Sequence, residues 1–398
     1  MGRRSRQRGV AAVILIALFS VILIGVLLSS LAGKSSQNQA DEKSFPALAQ
    51  AQAALIAYAA GHPTLPGRLP CPDVDNDGLE DAPCGAVGAN QLGRLPWKTL
   101  GIPDLRDGSG ECLWYAVSGA FKSNPPNPGP VNSDTNGSFT VRDDQGHTIA
   151  TNVIAVVIAP GAALSANDRT PVGATRCGGN ITATNYLDTA NAINNATGAT
   201  TGIFVVGLPS DTYNDRVAFI GPAQFFPAVE RRVAGEIKQR LAAYYTANLY
   251  YPDANDVLDA SHNCTPGTTR GRVPLSISVS CTTPPLADWP VALPAWFTSD
   301  NWHLLTYYAR APACSSLGPG CTDFGGLLIV SNGPVPTTNK QALVIEPGPS
   351  LPGVLPAQPS PCASAVNCLD GTNGDGDDIY TTQSSSPTFN DVVVVVGP

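Results

Sequence analysis

Thr212-Tyr213-Asn214-Asp215 runs into Val217-Ala218-Phe219-Ile220, and 176 residues later Thr388-Phe389-Asn390-Asp391 runs into Val392 to Val396. Three further pairs lie outward from this one in the same order. Asn185-Tyr186-Leu187-Asp188 followed by Asn191 returns as Asn367-Cys368-Leu369-Asp370 followed by Asn373. Phe45-Pro46-Ala47 returns as Phe226-Pro227-Ala228, and Leu55-Ile56-Ala57-Tyr58 as Leu241-Ala242-Ala243-Tyr244. The offsets stay between 176 and 186 residues, and ordered matches at a nearly constant spacing mark a duplication. The chain reads as two copies of one module, joined near residues 221–226. Each copy opens on a helix, crosses a long cysteine-bearing stretch and closes on strands.

The helices are legible from composition and period. Phe45 to Ala60 is dominated by alanine, the strongest helix former, and Gly61-His62-Pro63 stops it. Pro46 predicts a kink or a restart there. In the second copy Val229, Val233, Ile237 and Leu241 form a stripe, with Glu230, Arg231, Glu236 and Lys238 assigned to other faces and Pro227 to the first turn. Strands are expected at Val153 to Ile158, Leu327 to Val330 and Leu343 to Ile345. The closing runs are apolar throughout, which predicts burial on both faces. The expected class is α+β.

Composition narrows the function. Gly and Pro fill 75 of 398 positions (39 and 36), so turns and loops are plentiful. Charged residues make up 14 % and the net charge is −8, with no basic stripe beyond the N-terminus. That argues against nucleic acid as a partner, since phosphate neutralisation needs clustered Lys and Arg. The ten cysteines, at positions 71, 84, 112, 177, 264, 281, 314, 321, 362 and 368, form no Cys-x-x-Cys. With four histidines in the chain, a disulfide framework in an oxidising compartment is the better reading than zinc. Pairing neighbours (Cys71–Cys84, Cys264–Cys281, Cys314–Cys321, Cys362–Cys368, with Cys112–Cys177 left) has the lowest loop-closure cost. Spacing alone leaves the connectivity open.

Arg3, Arg4, Arg6 and Arg8 precede an uncharged stretch from Val10 to Gly33, in which fifteen of 24 residues are Val, Ile, Leu or Phe. As a helix it spans roughly 36 Å, enough for a hydrocarbon core of about 30 Å. Arginines on its N-terminal side hold that end in the cytoplasm and export the rest. Three readings fit: a cleavable signal peptide ending at Ser30-Leu31-Ala32, a plain signal anchor, and a processed anchor helix.

The third rests on a resemblance. Gln7-Arg8-Gly9 abutting Val10-Ala11-Ala12-Val13-Ile14-Leu15 resembles the signal of type IV pilins and type II secretion pseudopilins. In that family a prepilin peptidase cuts after the glycine and leaves the helix attached, which makes Gly9 and Val10 the processing residues. Typical members carry a glutamate five residues into the mature chain, where Ile14 stands here. Its absence is similar to large tip-type minor subunits. Gly67-Arg68-Leu69-Pro70-Cys71-Pro72-Asp73 and Asn214-Asp215 also resemble two-headed prepilin-like proteins. The resemblance implies a leader at 1–9, a transmembrane helix at 10–33, its continuation at 34–61, and two tandem pilin-like helix-plus-antiparallel-sheet modules at 62–221 and 222–398. It implies a single-pass protein of the bacterial inner membrane with its body in the periplasm or in an extracellular filament. Its partners would be the inner membrane, other pilins or pseudopilins, and the peptidase.

Two oxygen-rich loops are candidate calcium sites. Asp73, Asp75, Asp77 and Asp81 surround Gly78 at spacings like those of an EF-hand loop, although Cys84 stands where the bidentate Glu belongs. Asp370, Asn373, Asp375, Asp377 and Asp378 form the second, less regular set, for which the heads of the resembling family offer a parallel. The bland reading of both is a solvated acidic turn. No nucleophile elbow, zinc-protease, phosphate-loop or dinucleotide pattern occurs, which points away from an enzyme. His62, His147, His262 and His303 stand outside any motif, and the five tryptophans read as packing residues. The function expected is a minor or tip filament subunit. The alternative is a signal-anchored periplasmic binding protein or hydrolase with a duplicated α+β module.

Overall fold

Helix α1, at residues 39–61, turns one apolar stripe inward: Ala47, Leu48, Ala51, Leu55 and Ala59 are buried at three- and four-residue spacing. The computed structural model describes residues 39–172, 177, 179–277, 281, 288–315, 321, 328–332, 335–351 and 368–397. Among these, no helix is long and apolar enough to cross a membrane. The leader, Gly9, Val10 and the span expected at 10–33 lie outside the described residues, as does Cys362. The helix runs through Pro46 without interruption.

The stripe of α1 faces a four-stranded antiparallel sheet in the order β1 (Gln91–Arg94), β2 (Trp114–Val117), β5 (Ala155–Ala159), β9 (Arg216–Ile220). Side chains alternate along its strands. Tyr115, Val117, Ala155 and Val157 join the core under the helices, while Trp114, Ala116, Val156 and Ile158 point the other way. That second face packs on a three-stranded sheet of β4 (Thr148–Val153), β3 (Phe139–Asp143) and β8 (Ile203–Val206). There the Phe139 and Phe204 rings meet edge to face at 5.2 Å. A two-stranded hairpin, β6 (Thr189–Ala190) and β7 (Ile193–Asn194), and a single turn, α2 (Gly198–Thr201), complete the first half.

The second half repeats the plan. Helix α3 (Pro222–Asn248) packs on β14 (Ala342–Glu346) and β16 (Val392–Gly397), within a sheet ordered β10 (Arg270–Arg272), β11 (Tyr307–Arg310), β14, β16. Strands β13 (Val335–Lys340), β12 (Leu328–Asn332) and β15 (Ile379–Thr381) form its three-stranded sheet, and α4 (Ala295–Ser299) lies in a connection. In both small sheets one pair is parallel, β3 with β8 and β12 with β15. The halves share one apolar core. Leu48 and Leu55 of α1 belong to the same cluster as Phe225, Phe226 and Leu241 of α3 and Tyr308 and Val344 of the second sheet.

Three expectations are corrected. The closing strands are not covered on both sides: β9 and β16 each have one ladder partner, so Val217 to Phe219 and Val392 to Val395 are half-buried. An edge strand is open to solvent along the side without a ladder partner, and composition does not reveal that position. Pro227 is not in the first turn. Gly221 and Pro222 start α3 one turn earlier, which puts Pro227 inside the helix. Glu230 and Glu236 are buried, not solvent-facing. Glu230 follows Phe226 by four residues and precedes Val233 by three, so it lies on the apolar stripe itself.

Four disulfides join Cys71 to Cys84, Cys112 to Cys177, Cys264 to Cys281 and Cys314 to Cys321. Neighbour pairing is therefore the connectivity for these eight. Cys368 is disulfide-bonded as well. The fold is mixed α+β with several antiparallel sheets and a disulfide-rich frame.

Candidate functional site

The first acidic loop is folded by its own carboxylates. Asp73 accepts from the amides of Asn76 at 2.5 Å and Gly78 at 2.7 Å, and Asp81 accepts from Val74 and Asp75. Asn76 and Gly78 take positive φ, 69° and 88°. A Cβ at Gly78 would lie 2.5 Å from the Trp97 ring, so glycine is required there on two counts. Oxygens of Asp73, Asp75 and Asp81 converge to within 4.8 Å of one another. Asp77 is not part of that group. Its side chain accepts from the amide of Leu79 and its carbonyl from the Lys98 ammonium. Burial pushes the Asp73 carboxyl up, with the Asp81 and Asp75 charges adding to it, while the two amides oppose. Three hard oxygen donors in a glycine-bearing turn suit calcium, which would relieve that repulsion.

The second acidic set is split. Asp375 and Asp377 are exposed and serve as turn acceptors for the amides of Asp377 and Ile379. Asp378 pairs with the Arg270 guanidinium at 2.7 Å, and Arg270 also donates to the Asp377 carbonyl. Asp370 and Asn373 point inward, 3 % exposed, into a different network. A cation of the chain thus stands beside the loop where a metal was expected.

That inward network occurs twice. Asp391 Oδ2 accepts from the amide of Asp370 at 2.9 Å and from Asn373 Nδ2 at 2.8 Å. Asn373 also bonds both ways with Thr381, and Asp370 accepts from the Asn390 amide. In the first half Asp215 Oδ2 accepts from Asp188 N and Asn195 Nδ2, both at 2.9 Å. Asn195 there bonds both ways with Val205, and Asp188 accepts from the Asn214 amide. The partner of Asn373 is therefore Asn195 and not Asn191, because the β6–β7 hairpin inserts four residues into the first copy. Gly161 and Gly348 sit beneath Asn214 and Asn390, where a Cβ would lie 2.6 and 2.5 Å from those side chains. Burial drives Asp215 and Asp391 well above the carboxylate range, and the nearby Asp188 and Asp370 charges add to it. These acids hold the start of each closing strand against the preceding loop.

Sequence reasoning missed the seam between the halves. Buried Arg68 reaches Asp300 at 3.5 Å, Val131 N donates to Asp300 at 3.1 Å, and Ser133 Oγ donates to Glu230 at 2.8 Å. Burial raises Glu230 to about 8, with Ser133 and Arg231 opposing, and raises fully buried Glu346 well above its usual range. Over this seam lies a cavity of about 520 Å³, formed by residues 133–136 and 151–152, the start of α3, and loops 349–351 and 385–390. No pattern flags such a cavity, because its lining comes from five separated segments. The repeat did leave a signal: Gly93-Arg94-Leu95-Pro96 and Gly271-Arg272-Val273-Pro274 are equivalent. Arg94 bridges to Asp73 as Arg272 does to Asn255, and a Cβ on either glycine would strike the partner carbonyl, at 2.6 and 2.0 Å.

No protein-family model matches the chain, and neither a curated protein nor a solved structure matches it.

Proposed function

We propose that the chain is an exported, membrane-anchored subunit of a type IV pilus or type II secretion filament, placed as a large minor or tip subunit, with a structural and not a catalytic role. The supporting observation is the packing of α1. Its stripe Leu48, Ala51, Leu55 and Ala59 lies on an antiparallel sheet, and only residues 34–38 separate it from the apolar stretch 10–33. One helix serving as anchor and as the spine of a sheet-bearing head is what such a filament requires. Ile14 and the bulk of a second head favour a tip place over the shaft. The disulfides fit a periplasmic or extracellular body.

Intact-mass and N-terminal analysis of the protein recovered from membranes tests this. Val10 is expected as the first residue; an intact leader, or a chain beginning at Gly33, overturns the proposal. The seam cavity favours a second reading, a signal-anchored binding protein, which an intact leader would support.

We further propose that calcium, held by Asp73, Asp75 and Asp81, braces the first loop. Saturating calcium is expected to raise the melting temperature by several degrees over EDTA, by about 3–4 kcal/mol at a hundred to a thousand times the dissociation constant. Asp81→Asn removes most of that difference. Equal melting curves with calcium and with EDTA would reject the site.

A further inference from the structure

The seam cavity has two kinds of wall. One is rigid and aliphatic, with Pro222, Ala223, Pro227, Pro349, Leu351 and Pro387 among the lining residues. The volume of about 520 Å³ falls within the roughly 300–1,000 Å³ of small-ligand sites. Proline rings change little on binding, so little ordering cost opposes a ligand.

The other wall is polar without being charged. Asn136, Thr151 and Asn152 supply it from the first half, and Ser350 and Ser385 from the second. All five are exposed, and none of their side chains is engaged in a hydrogen bond among the described residues. A hydroxyl or a carboxamide both donates and accepts, so this wall suits a ligand that does the same. Asp134 also lines the cavity but already has a partner within the chain, and no Lys, Arg or His is among the lining residues.

We infer that the seam cavity binds a neutral saccharide carrying N-acetyl groups, with its hydroxyls and amide among the polar side chains and its acetyl methyl against the prolines. Other ligand classes leave one wall uncompensated. An anion would meet no cation among the lining residues, and a cation would have to share Asp134 with its present partner. A hydrocarbon would cover hydroxyls and carboxamides without replacing their bonds to water. A sugar without acetyl groups would set hydroxyls against the aliphatic wall. A peptide strand needs a continuous strand edge to pair with, and β4, which reaches the cavity at Thr151, leaves the extended conformation at Asn152, where φ is 56°. The N-acetylated sugar unit occurs both in free disaccharides and along polymer chains.

Titration calorimetry on the full chain, in a detergent without a sugar headgroup, tests the assignment. The probes are N,N′-diacetylchitobiose and its tetramer, with cellobiose and N-acetyl-dialanine methylamide as controls. The acetylated dimer is expected to bind at least about tenfold more tightly than either control, the margin of one or two net hydrogen bonds. Equal affinity for dimer and tetramer identifies a free sugar or chain end as the source; a tighter tetramer identifies a polymer crossing the seam. Asn136→Ala with Thr151→Val, and separately Ser350→Ala with Ser385→Ala, are each expected to weaken binding about tenfold, because the two pairs lie in different halves. Ala223→Trp, at an exposed position in the lining, abolishes binding by filling the space while the melting temperature is kept. Cellobiose or the peptide binding as tightly as the acetylated dimer, no saturation by either acetylated sugar, or unchanged affinity in both double variants would each overturn the inference.

Discussion

Raising the pH from 6.5 to 9 is expected to lower the thermal midpoint of the chain, and Glu230→Gln is expected to make the fall shallower. The sign follows from linkage. Glu230 is raised by burial from the ordinary value of 4.5 to about 8, so the folded state holds a proton that the unfolded state has released. Stability from such a group is complete below the unfolded value and is lost as pH rises through the folded one. Burial raises Asp215, Asp391 and Glu346 in the same direction, so their stability too is lost with rising pH. Each proton costs about tenfold in the folding equilibrium per pH unit in its window. His62 and His303 act oppositely, since burial lowers both, but their penalty falls below pH 6.5. The amide of Glu230→Gln can still accept from Ser133 without carrying a charge. Melting curves at half-unit pH steps decide the matter: a midpoint that is flat or rising from 6.5 to 9 defeats the prediction.

Phe226→Ala is expected to destabilise the chain by about 3–5 kcal/mol, as for other large core aromatics cut to alanine, and to do so in a single transition. Phe121 of the first half meets Phe225 at 5.5 Å and Phe226 at 6.1 Å, and the two α3 rings lie 5.3 Å apart, all fully buried. These rings belong to the one cluster that contains α1, α3 and both four-stranded sheets. A cavity there loosens both halves at once. Denaturant unfolding followed by tryptophan fluorescence and by far-UV circular dichroism should give coincident curves. Two separated transitions, with only one moved by the substitution, would show that the halves are independent.

The parts readable in the sequence were those fixed by short-range chemistry. Alanine content and a four-residue stripe gave both helices, Asn-Asp gave the start of both closing strands, and loop entropy gave the four described disulfides. Three kinds of feature were not readable. An apolar run such as Val392 to Val396 reports what its side chains tolerate, not how many ladder partners the strand has. The carboxylates of residues 370–378 look alike in sequence, yet two are turn acceptors, one pairs with Arg270 and Asp370 is buried. Glu230 could have been found, because its spacing to Phe226, Val233 and Ile237 places it on the stripe. Its residue type suggests solvent, whereas its position places it in the core. The seam cavity had no local signal, being built from segments more than two hundred residues apart.

The common core also sets a schedule. The chain leaves the ribosome N-terminus first, and α1 with its sheet is complete once Ile220 has emerged. Phe225, Phe226 and Val229, which join the same cluster as Leu48 and Leu55, come only afterwards. Until then Phe121 lacks its two ring partners, and Gly67 lacks the Val229 side chain that would lie 3.6 Å from a Cβ there. The first half must therefore wait, part-open, for the start of the second. A truncation just after residue 220 would leave a sheet with an uncovered apolar flank, whereas one after α3 would close it.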